Sequence, residues 1–384
     1  MQLDTLYQKY KEQTISGRYI TLDHIESLLQ KCSSTGDLKI VGNSVLGKPI
    51  YKYSIGTGKT KIFMWSQMHG NESTTTKALF DFFNFLNSND PLSADFLQKY
   101  TFCFLPMVNP DGAKLYTREN ANKIDLNRDS VNLSQPESKI LRAVFDDFKP
   151  DFCYNLHDQR TIFGVENSNK PATVSFLAPS CNESKEYNET RLKAVNVIVA
   201  MNLELQKYIP GQVGRFDDGF NINCIGDMFQ SLNVPTILFE AGHFPDDYQR
   251  EKTREMIFIS VVTSLHYIHE NDIVGNEKTE YLQIPQNKVI FYDIFYKNVK
   301  INYDCKEKIT NFALQFKEEV LDGKVIFVAY IAQIDNLDGY CAHYEYDAEN
   351  KLYSDNEDNN PKINQIANFS LDNVKHFVNG LKKV

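Results

Sequence analysis

Two histidines and two glutamates follow apolar segments of the sequence at spacings that suit metal-assisted hydrolysis. His69 and Glu72 lie three residues apart in a short loop, His157 follows a later apolar segment, and Glu240 follows another. A hydrolytic zinc site takes three protein ligands and leaves a fourth position for water, and two imidazoles with one carboxylate form such a set. His69, Glu72 and His157 are therefore predicted to bind one zinc ion, which lowers the pKa of bound water to near 7. Glu240 is the carboxylate available to accept the proton of that water.

The segments that precede these residues predict a sheet that brings them together. Buried strands are predicted for four apolar runs, at 61–68, 100–108, 151–156 and 235–239. Helical patterns alternate with them, at 77–86, 187–208 and 249–269. This alternation predicts an α/β fold with a mixed, mostly parallel central sheet flanked by helices, with an antiparallel hairpin at its edge. Functional groups in such a sheet gather at the carboxyl ends of the strands, so the four side chains are expected to meet there.

The last third of the sequence has a different pattern. After residue 275, aromatic and β-branched residues dominate two segments, 281–305 and 323–334, which predict strands. A chain of 384 residues is long enough for two domains. We therefore predict a catalytic domain at 1–275 and a smaller β-rich accessory domain, of unknown role, at 276–384.

Composition and charge exclude several classes of partner. Lys and Arg total 41 against 50 Asp and Glu, a net charge of −9, so no positive field attracts nucleic acid or anionic lipid. The seven cysteines are scattered and include no C-x-x-C pair, which argues against a disulfide framework and against a thiolate zinc site. The first residues lack the apolar core of a signal peptide, and no stretch is apolar enough to span a bilayer. The expectation is a soluble, cytoplasmic protein with neither a nucleic-acid nor a membrane partner; its oligomeric state is open.

Each candidate residue also has a structural interpretation. An H-x-x-E pair arises by chance in many chains, His157 could be a hydrogen-bonded histidine at a strand end, and Glu240 could cap the following turn. Their joint placement favours chemistry, because buried carboxylates and imidazoles at the ends of apolar strands need partners.

Four motifs in order resemble the M14 family of zinc carboxypeptidases, or metallocarboxypeptidases. They are H-G-N-E at 69–72, N-P-D-G at 109–112, R-E-N at 118–120 and D-L-N-R at 125–128. The segment 43–56 is also similar to the opening hairpin of that family. The resemblance extends from about residue 38 to about residue 272, and it implies a zinc-carboxypeptidase-like fold and peptidase activity. The β-rich segment that follows shares nothing recognisable with the family.

The resemblance implies a role for each reacting group. His69, Glu72 and His157 would hold one zinc ion per chain, and Glu240 would act as general base and later as general acid. Asp125 would accept a hydrogen bond from His69 and so fix the orientation of that ring.

The resemblance also implies how a peptide substrate with a free carboxylate is bound. Arg118 would polarise the scissile carbonyl and stabilise its developing negative charge. Asn127 and Arg128 would hold the terminal carboxylate, for which the planar guanidinium is suited. As an alternative, Asp125 and Arg128 could form a purely structural ion pair.

One departure concerns the substrate pocket. The family's substrate-capping tyrosine should lie about twenty residues before the catalytic glutamate, but 211–239 contains no tyrosine. Phe216 or Phe220 is expected to close the pocket instead, without a hydroxyl. Residue 123 is also a lysine where the family often has glycine. Asp158 and His243 adjoin the predicted functional positions and are weaker candidates for a supporting role.

Three functions remain open at this point. The first is a zinc-dependent exopeptidase that acts on a free C-terminus. The second is a zinc-dependent deacylase of N-acyl amino acids, a related branch with similar H-G-N-E and D-L-N-R motifs, although the N-P-D-G and R-x-N motifs favour the peptidase. The third is a catalytically silent peptide-binding or carbohydrate-binding protein on the same scaffold. Since all the reacting groups are present, an active enzyme is the favoured interpretation.

Overall fold

The structure is a computed structural model that describes residues 2–271, 276–303, 306–355 and 359–383. These residues divide into two compact units: one comprises the chain up to Gln159 together with Val165–Asn287, and the other Arg160–Gly164 together with Lys288–Val384. The boundary predicted at residue 275 falls on a residue outside the described ranges, and the assignment of the two domains stays a prediction.

Every helix of the described residues lies in the sequence of the first unit. They are α1 (Leu3–Tyr10), α2 (Leu22–Cys32), α3 (Thr74–Leu86), α4 (Pro91–Lys99), α5 (Pro110–Leu115), α6 (Pro136–Phe148), α7 (Glu189–Leu205), α8 (Ile225–Ser231), α9 (Glu251–Glu270) and α10 (Lys278–Gln283), with one turn of 3-10 helix at Leu126–Arg128. Within the described ranges, none of them has the length and apolar character required to cross a bilayer.

The strands follow in chain order. Those up to residue 241 are β1 (Asp37–Asn43), β2 (Pro49–Ile55), β3 (Thr60–Ser66), β4 (Tyr100–Leu105), β5 (Phe152–Asp158), β6 (Phe163–Val165), β7 (Lys170–Pro171), β8 (Val174–Leu177), β9 (Val213–Arg215) and β10 (Thr236–Ala241). The later strands are β11 (Asn287–Val289), β12 (Phe291–Tyr303), β13 (Lys306–Leu321), β14 (Lys324–Ile334), β15 (Cys341–Asp347), β16 (Tyr353–Ser354), β17 (Phe369–Leu371), β18 (Lys375–Val378) and β19 (Leu381–Lys382).

An eight-stranded mixed sheet forms the centre of the first unit. Its strand order is β1-β2-β4-β3-β5-β10-β8-β9. The four central strands β4, β3, β5 and β10 run parallel, while the hairpin β1–β2 is antiparallel and lies at one edge. The predicted α/β fold class, with a mostly parallel core and an edge hairpin, is confirmed.

Both faces of this sheet are buried, which explains why its central strands are almost continuously apolar. On one face, side chains such as Met64 and Tyr154 pack in a large core with α3, α7 and α9. On the other face, a smaller core surrounds Trp65, which lies edge-on to Phe229 of α8 with ring centroids 5.4 Å apart. The sheet is therefore packed on both faces, and this packing fixes the positions of the carboxyl ends of its strands.

The second unit contains two four-stranded sheets, ordered β14-β13-β12-β15 and β16-β17-β18-β19. Its core contains closely packed aromatic rings, including Tyr296 stacked on Phe312 at 4.9 Å and Phe369 stacked on Phe377 at 4.9 Å. Alternation along β12 places Phe291 and Phe295 among the buried side chains. These two aromatic residues of the β-rich tail are core residues and do not form an exposed platform.

Acidification is expected to destabilise the second unit through His343. The ring of His343 stacks on Phe291, its Nε2 lies 2.8 Å from the carbonyl of Thr161, and burial lowers its pKa to about 4. The histidine of the unfolded chain titrates near pH 6.5, so on acidification the unfolded state binds a proton before the folded state does. The free energy of unfolding therefore falls as the pH drops from about 6.5 to about 4, by about 3 kcal/mol in all.

Hydrogen-exchange mass spectrometry of peptides from β12 and β15, corrected for the intrinsic pH dependence of exchange, measures this loss. His343→Gln should flatten the pH dependence, while His376→Gln, at an exposed position of the same unit, should retain it. An unchanged slope in His343→Gln would contradict the assignment.

Candidate metal centre and active site

The predicted functional residues lie at the carboxyl ends of the central strands. His69 and Glu72 occupy the loop between β3 and α3, His157 is the penultimate residue of β5, and Glu240 is the penultimate residue of β10. Since β5 and β10 are parallel, Glu240 and His157 are direct partners in the ladder. The sheet therefore brings residues that are up to 171 positions apart in the sequence to one place.

The loop at 67–73 is tight because a glycine lets the chain pass close to the N-P-D-G turn. A Cβ atom on Gly70 would lie 1.9 Å from the backbone carbon of Gly112, so only glycine fits there. Asn109 accepts a hydrogen bond from the backbone N–H of Gly112 at 2.8 Å and caps α5. The N-P-D-G motif thus shapes the turn that supports the loop of His69 and Glu72.

Three buried donor groups converge in this loop region. His69 Nδ1 lies 2.8 Å from Glu72 Oε1, and His157 Nδ1 lies 2.8 Å from Glu72 Oε2. The two Nδ1 atoms are 3.1 Å apart, and each of the three residues is no more than 9% exposed. Ligand atoms of all three residues lie within 4.8 Å of one another, and the described residues contain no second cluster of this kind. Two imidazole nitrogens and one carboxylate are the ligand set that zinc takes in hydrolytic enzymes. These three buried residues therefore fit this metal.

The short distances and the burial shift the pKa values of all three residues. Burial raises the pKa of Glu72, but its interactions with His69 and His157 outweigh that effect and hold the pKa well below its usual range. Burial lowers the pKa of His157. In His69 the effect of burial is overcome by Glu72 and Asp125, which raise its pKa. The carboxylate of Glu72 is therefore ionised, as a metal ligand must be.

Asp125 orients two neighbours at once. Its Oδ1 accepts a hydrogen bond from His69 Nε2 at 3.0 Å, and its Oδ2 accepts one from Arg118 Nε at 3.0 Å. It also caps the 3-10 turn by accepting from the backbone N–H of Asn127 at 2.9 Å. Burial raises the pKa of Asp125, but His69 and Arg118 outweigh this and lower it. Among the ion pairs of the described ranges, Asp125 pairs with Arg118, so the alternative pair with Arg128 is not formed.

Arg118 faces the donor cluster. Its Nη1 lies 3.1 Å from His69 Nδ1 and 3.5 Å from Glu72 Oε1, and its side chain is 41% exposed. The guanidinium is thus anchored on Asp125 at one side and open to the cleft at the other.

The 3-10 turn that carries Asn127 and Arg128 is hydrogen-bonded to the first residue of α8. Asn127 Oδ1 accepts a hydrogen bond from the N–H of Ile225 at 2.9 Å. Arg128 is exposed, and its Nη1 donates to the carbonyl of Asn127 at 2.7 Å. The remaining N–H groups of the Arg128 guanidinium are therefore accessible to an anion from solvent.

Phe216 and Phe220 lie in the irregular segment between β9 and α8, and both are half-buried. The N–H of Phe216 donates to the carbonyl of Phe176 at 3.0 Å, which continues the pairing of β8 and β9. The role of the two phenylalanines in the pocket stays a prediction.

Glu240 is half-buried beside the donor cluster. Burial raises its pKa well above the usual range, and the negative charges of Glu72 and Asp158 raise it further, while Arg118 and Arg250 oppose them. A carboxyl with a raised pKa binds a proton more readily, which is the property required of a general base and acid.

Two supporting elements were not predicted from the sequence. The first is Arg250, a buried guanidinium between β10 and α9. The second is the segment 11–20, where Ser73 Oγ donates to the carbonyl of Arg18 at 2.6 Å and Gln67 Nε2 donates to the carbonyl of Ile20 at 2.8 Å. Both elements act through the backbone, and backbone contacts leave no residue pattern in a single sequence.

Comparison with known proteins agrees with this geometry. The zinc carboxypeptidase family model matches residues 21–147, which include all four motifs. Carboxypeptidase SOL1 of Arabidopsis thaliana is 29% identical over 162 residues, a match that covers 36% of this chain and 33% of that protein. The chain thus spans about a third of the length of this curated relative.

Solved structures share the fold. The metallo-carboxypeptidase of Burkholderia cenocepacia superimposes with a TM-score of 0.53 at 15% identity, over 64% of this chain and 69% of its own. A metallo-carboxypeptidase of Pseudomonas aeruginosa, in complex with (2-guanidinoethylmercapto)succinic acid, gives a TM-score of 0.52 at 16% identity, over 65% and 69%. The predicted resemblance is therefore confirmed: residues 21–147 match the zinc carboxypeptidase family model, and the fold is shared with solved metallo-carboxypeptidases.

Proposed function

We propose that this chain is a zinc-dependent carboxypeptidase that hydrolyses the C-terminal peptide or isopeptide bond of a substrate with a free carboxylate. The observation that carries the proposal is the convergence of buried donors from His69, Glu72 and His157 beside Glu240. The family match and the carboxypeptidase relatives support it. They favour it over the deacylase of N-acyl amino acids and over a silent binding protein.

The metal would be held by the three buried donors, one zinc ion per chain. Bound there, zinc polarises a carbonyl and lowers the pKa of water. Asp125 would keep the ring of His69 in one orientation, because its carboxylate accepts the hydrogen bond of the outer nitrogen Nε2.

Glu240 would move the protons of the reaction. Its carboxylate accepts a proton from the attacking water and then donates that proton to the leaving amine. The raised pKa of Glu240 suits it to both steps, since a strongly acidic carboxyl would not hold the proton between them.

Three polar residues would bind and activate the substrate. Arg118 donates to the oxygen of the scissile carbonyl, where negative charge develops in the transition state. Arg128 pairs with the terminal carboxylate through its planar guanidinium. Asn127 donates through its Nδ2, because its Oδ1 accepts from the N–H of Ile225. Phe216 and Phe220 are proposed to close the pocket in place of the missing tyrosine.

The remaining proposals concern the rest of the protein. Residues 1–275 are proposed to form the catalytic domain, and residues 276–384 an accessory domain. A cytoplasmic location, and the lack of a nucleic-acid or membrane partner, stay predictions from the sequence.

Mass spectrometry of a peptide mixture tests the proposed function. The zinc-loaded chain is incubated with peptides that have free C-termini, with isopeptide-linked cell-wall fragments and, separately, with N-acyl amino acids. Stepwise loss of C-terminal residues is the expected result, and it also reveals the side-chain preference. Hydrolysis of N-acyl amino acids alone would indicate the deacylase, and no hydrolysis by a chain that binds one zinc would indicate a silent scaffold.

Replacement of Asp125 by Asn is expected to weaken zinc binding. The amide can no longer accept two charge-assisted hydrogen bonds, so the ring of His69 is held less firmly, and such changes typically cost about 10–100-fold in metal affinity. Competition with a chromophoric chelator measures the dissociation constant. Asp146→Asn, at an exposed position of α6, serves as the matched control, and equal affinities of the two variants would contradict the role of Asp125.

A further inference from the structure

Arg250 is a buried arginine at the entry to α9, close to the ends of two catalytic strands. Its side chain is 1% exposed and its backbone has a φ of 59°, in the left-handed region. Its Nη1 donates to the carbonyl of Ala241 at 2.6 Å, and its Nη2 donates to the carbonyl of Gln159 at 2.5 Å. One planar group therefore connects the carboxyl ends of β10 and β5.

The carbonyl of Ala241 directly follows Glu240, and the carbonyl of Gln159 lies two residues after His157. The ladder between β5 and β10 ends with the pairs His157 with Glu240 and Asp158 with Ala241. One further bond, from the N–H of Gln159 to the carbonyl of Ala241, lies beyond them at 2.9 Å. Arg250 therefore adds two hydrogen bonds beyond the last pair of the ladder, at the ends of the strands that carry a proposed zinc ligand and the proposed base.

A second line of contacts leads from Arg250 to the metal cluster. Its Nη1 lies 3.8 Å from Asp158 Oδ2, and both side chains are almost fully buried. The carboxylate of Asp158 accepts hydrogen bonds from the N–H groups of Thr74 and Thr75 at the start of α3, and its backbone N–H donates to Glu72 Oε2 at 3.1 Å. Asp158, which the N–H groups of α3 hold in place, therefore stands between Arg250 and Glu72.

Arg250 also brings a positive charge to the buried region that contains Glu72, Asp158 and Glu240. This charge opposes the rise in the pKa of Glu240 that burial and the two neighbouring carboxylates cause.

We infer that Arg250 is a positioning residue of the active site, which holds the ends of β5 and β10 so that Glu240 keeps its place relative to His157 and Glu72. This inference rests on the proposed function. Lysine cannot replace arginine in the role, because a single ammonium group cannot present two parallel donors to two carbonyls.

The test compares Arg250→Lys with Arg254→Lys in the full-length, zinc-loaded chain. Arg254 is an equally buried arginine of α9, but its partners are Asp81, Glu251 and the carbonyls of Glu12 and Ile15, none of which lies on β5 or β10. For each variant kcat, KM, the zinc dissociation constant and the thermal midpoint are measured. A second substitution, Arg250→Gln, keeps one amide donor and removes the charge.

Arg250→Lys is expected to lower kcat at least about 10-fold with KM and the zinc dissociation constant within about twofold of the original chain, since small displacements of a catalytic group cost this much or more. Arg254→Lys is expected to lower the thermal midpoint without this loss of kcat. Arg250→Gln should lose more kcat than Arg250→Lys. If Arg250→Gln does not fold, the comparison of the two lysine variants decides.

A kcat of Arg250→Lys within twofold of the original chain, or an equal fall in Arg254→Lys, would overturn the inference alone. A fall in kcat that is fully explained by lost zinc would overturn it too, because Arg250 would then act on metal retention and not on Glu240. An original chain that binds zinc and hydrolyses no peptide would overturn the proposed function, and the inference with it.

Discussion

Glu240→Gln is expected to lower kcat about 10³-fold while the chain still binds one zinc ion, in keeping with the loss of a general base and acid. Glutamine has the shape of glutamate but accepts no proton. It can therefore neither take the proton of the attacking water nor pass it to the leaving amine. Zinc binding should persist, because the three proposed ligands are other residues. The metal-free variant should be at least as stable as the original chain, since a carboxyl that burial, Glu72 and Asp158 disfavour as an anion is replaced by a neutral group.

The measurement combines steady-state kinetics on the best peptide substrate with metal analysis of the purified protein. Glu183→Gln, at an exposed loop position, is the matched control and should behave like the original chain. Activity of Glu240→Gln within a few-fold of the control would exclude Glu240 as the base. Loss of zinc in Glu240→Gln would show that this carboxyl helps to bind the metal.

His157→Ala is expected to abolish hydrolysis and to weaken zinc binding by more than about 100-fold, more than the loss of a supporting hydrogen bond costs. His157 contributes one of the three buried donors, and its removal leaves Glu72 with a single imidazole partner. Because zinc binds the folded state, weaker zinc binding also means that zinc stabilises the variant less. At free zinc about 100 times the dissociation constant, zinc raises the free energy of unfolding of the original chain by about 2.7 kcal/mol.

Isothermal titration with zinc and thermal unfolding with and without a chelator measure the two effects. The expected result is a thermal midpoint that rises with zinc in the original chain but not in His157→Ala. His266→Ala, which removes an exposed histidine of α9, should leave the zinc response intact. A zinc-dependent rise in the midpoint of His157→Ala would contradict the proposed ligand set.

The fold and the donor cluster were predictable because each depends on a pattern that a sequence carries. Apolar runs flanked by polar residues define buried strands and their ends, and parallel strands bring those ends to one edge. His69, Glu72 and His157 could therefore be named together, whereas Asp125 was expected only from the resemblance to zinc carboxypeptidases. Their convergence in the structure follows from the order of β3, β5 and β10 in the sheet.

The supporting contacts could not be predicted, because they are made to backbone atoms or depend on exact register. Arg250 donates to two carbonyls, and any residue supplies a carbonyl, so no partner identifies it in the sequence. The positions of Phe216 and Phe220 depend on an irregular segment whose path no periodicity defines. The direct pairing of Glu240 with His157 is a matter of register, which apolar strands specify only through their packing.

The single tryptophan gives this protein an optical reporter with a known location. Trp65 is buried beneath the loop of His69 and Glu72, in contact with Phe229, and no other tryptophan occurs in the chain. Its fluorescence therefore reports on the first unit alone, while the tyrosine-containing second unit is silent at excitation wavelengths that select tryptophan. The two units can be followed separately in one sample, without labels and without dividing the chain.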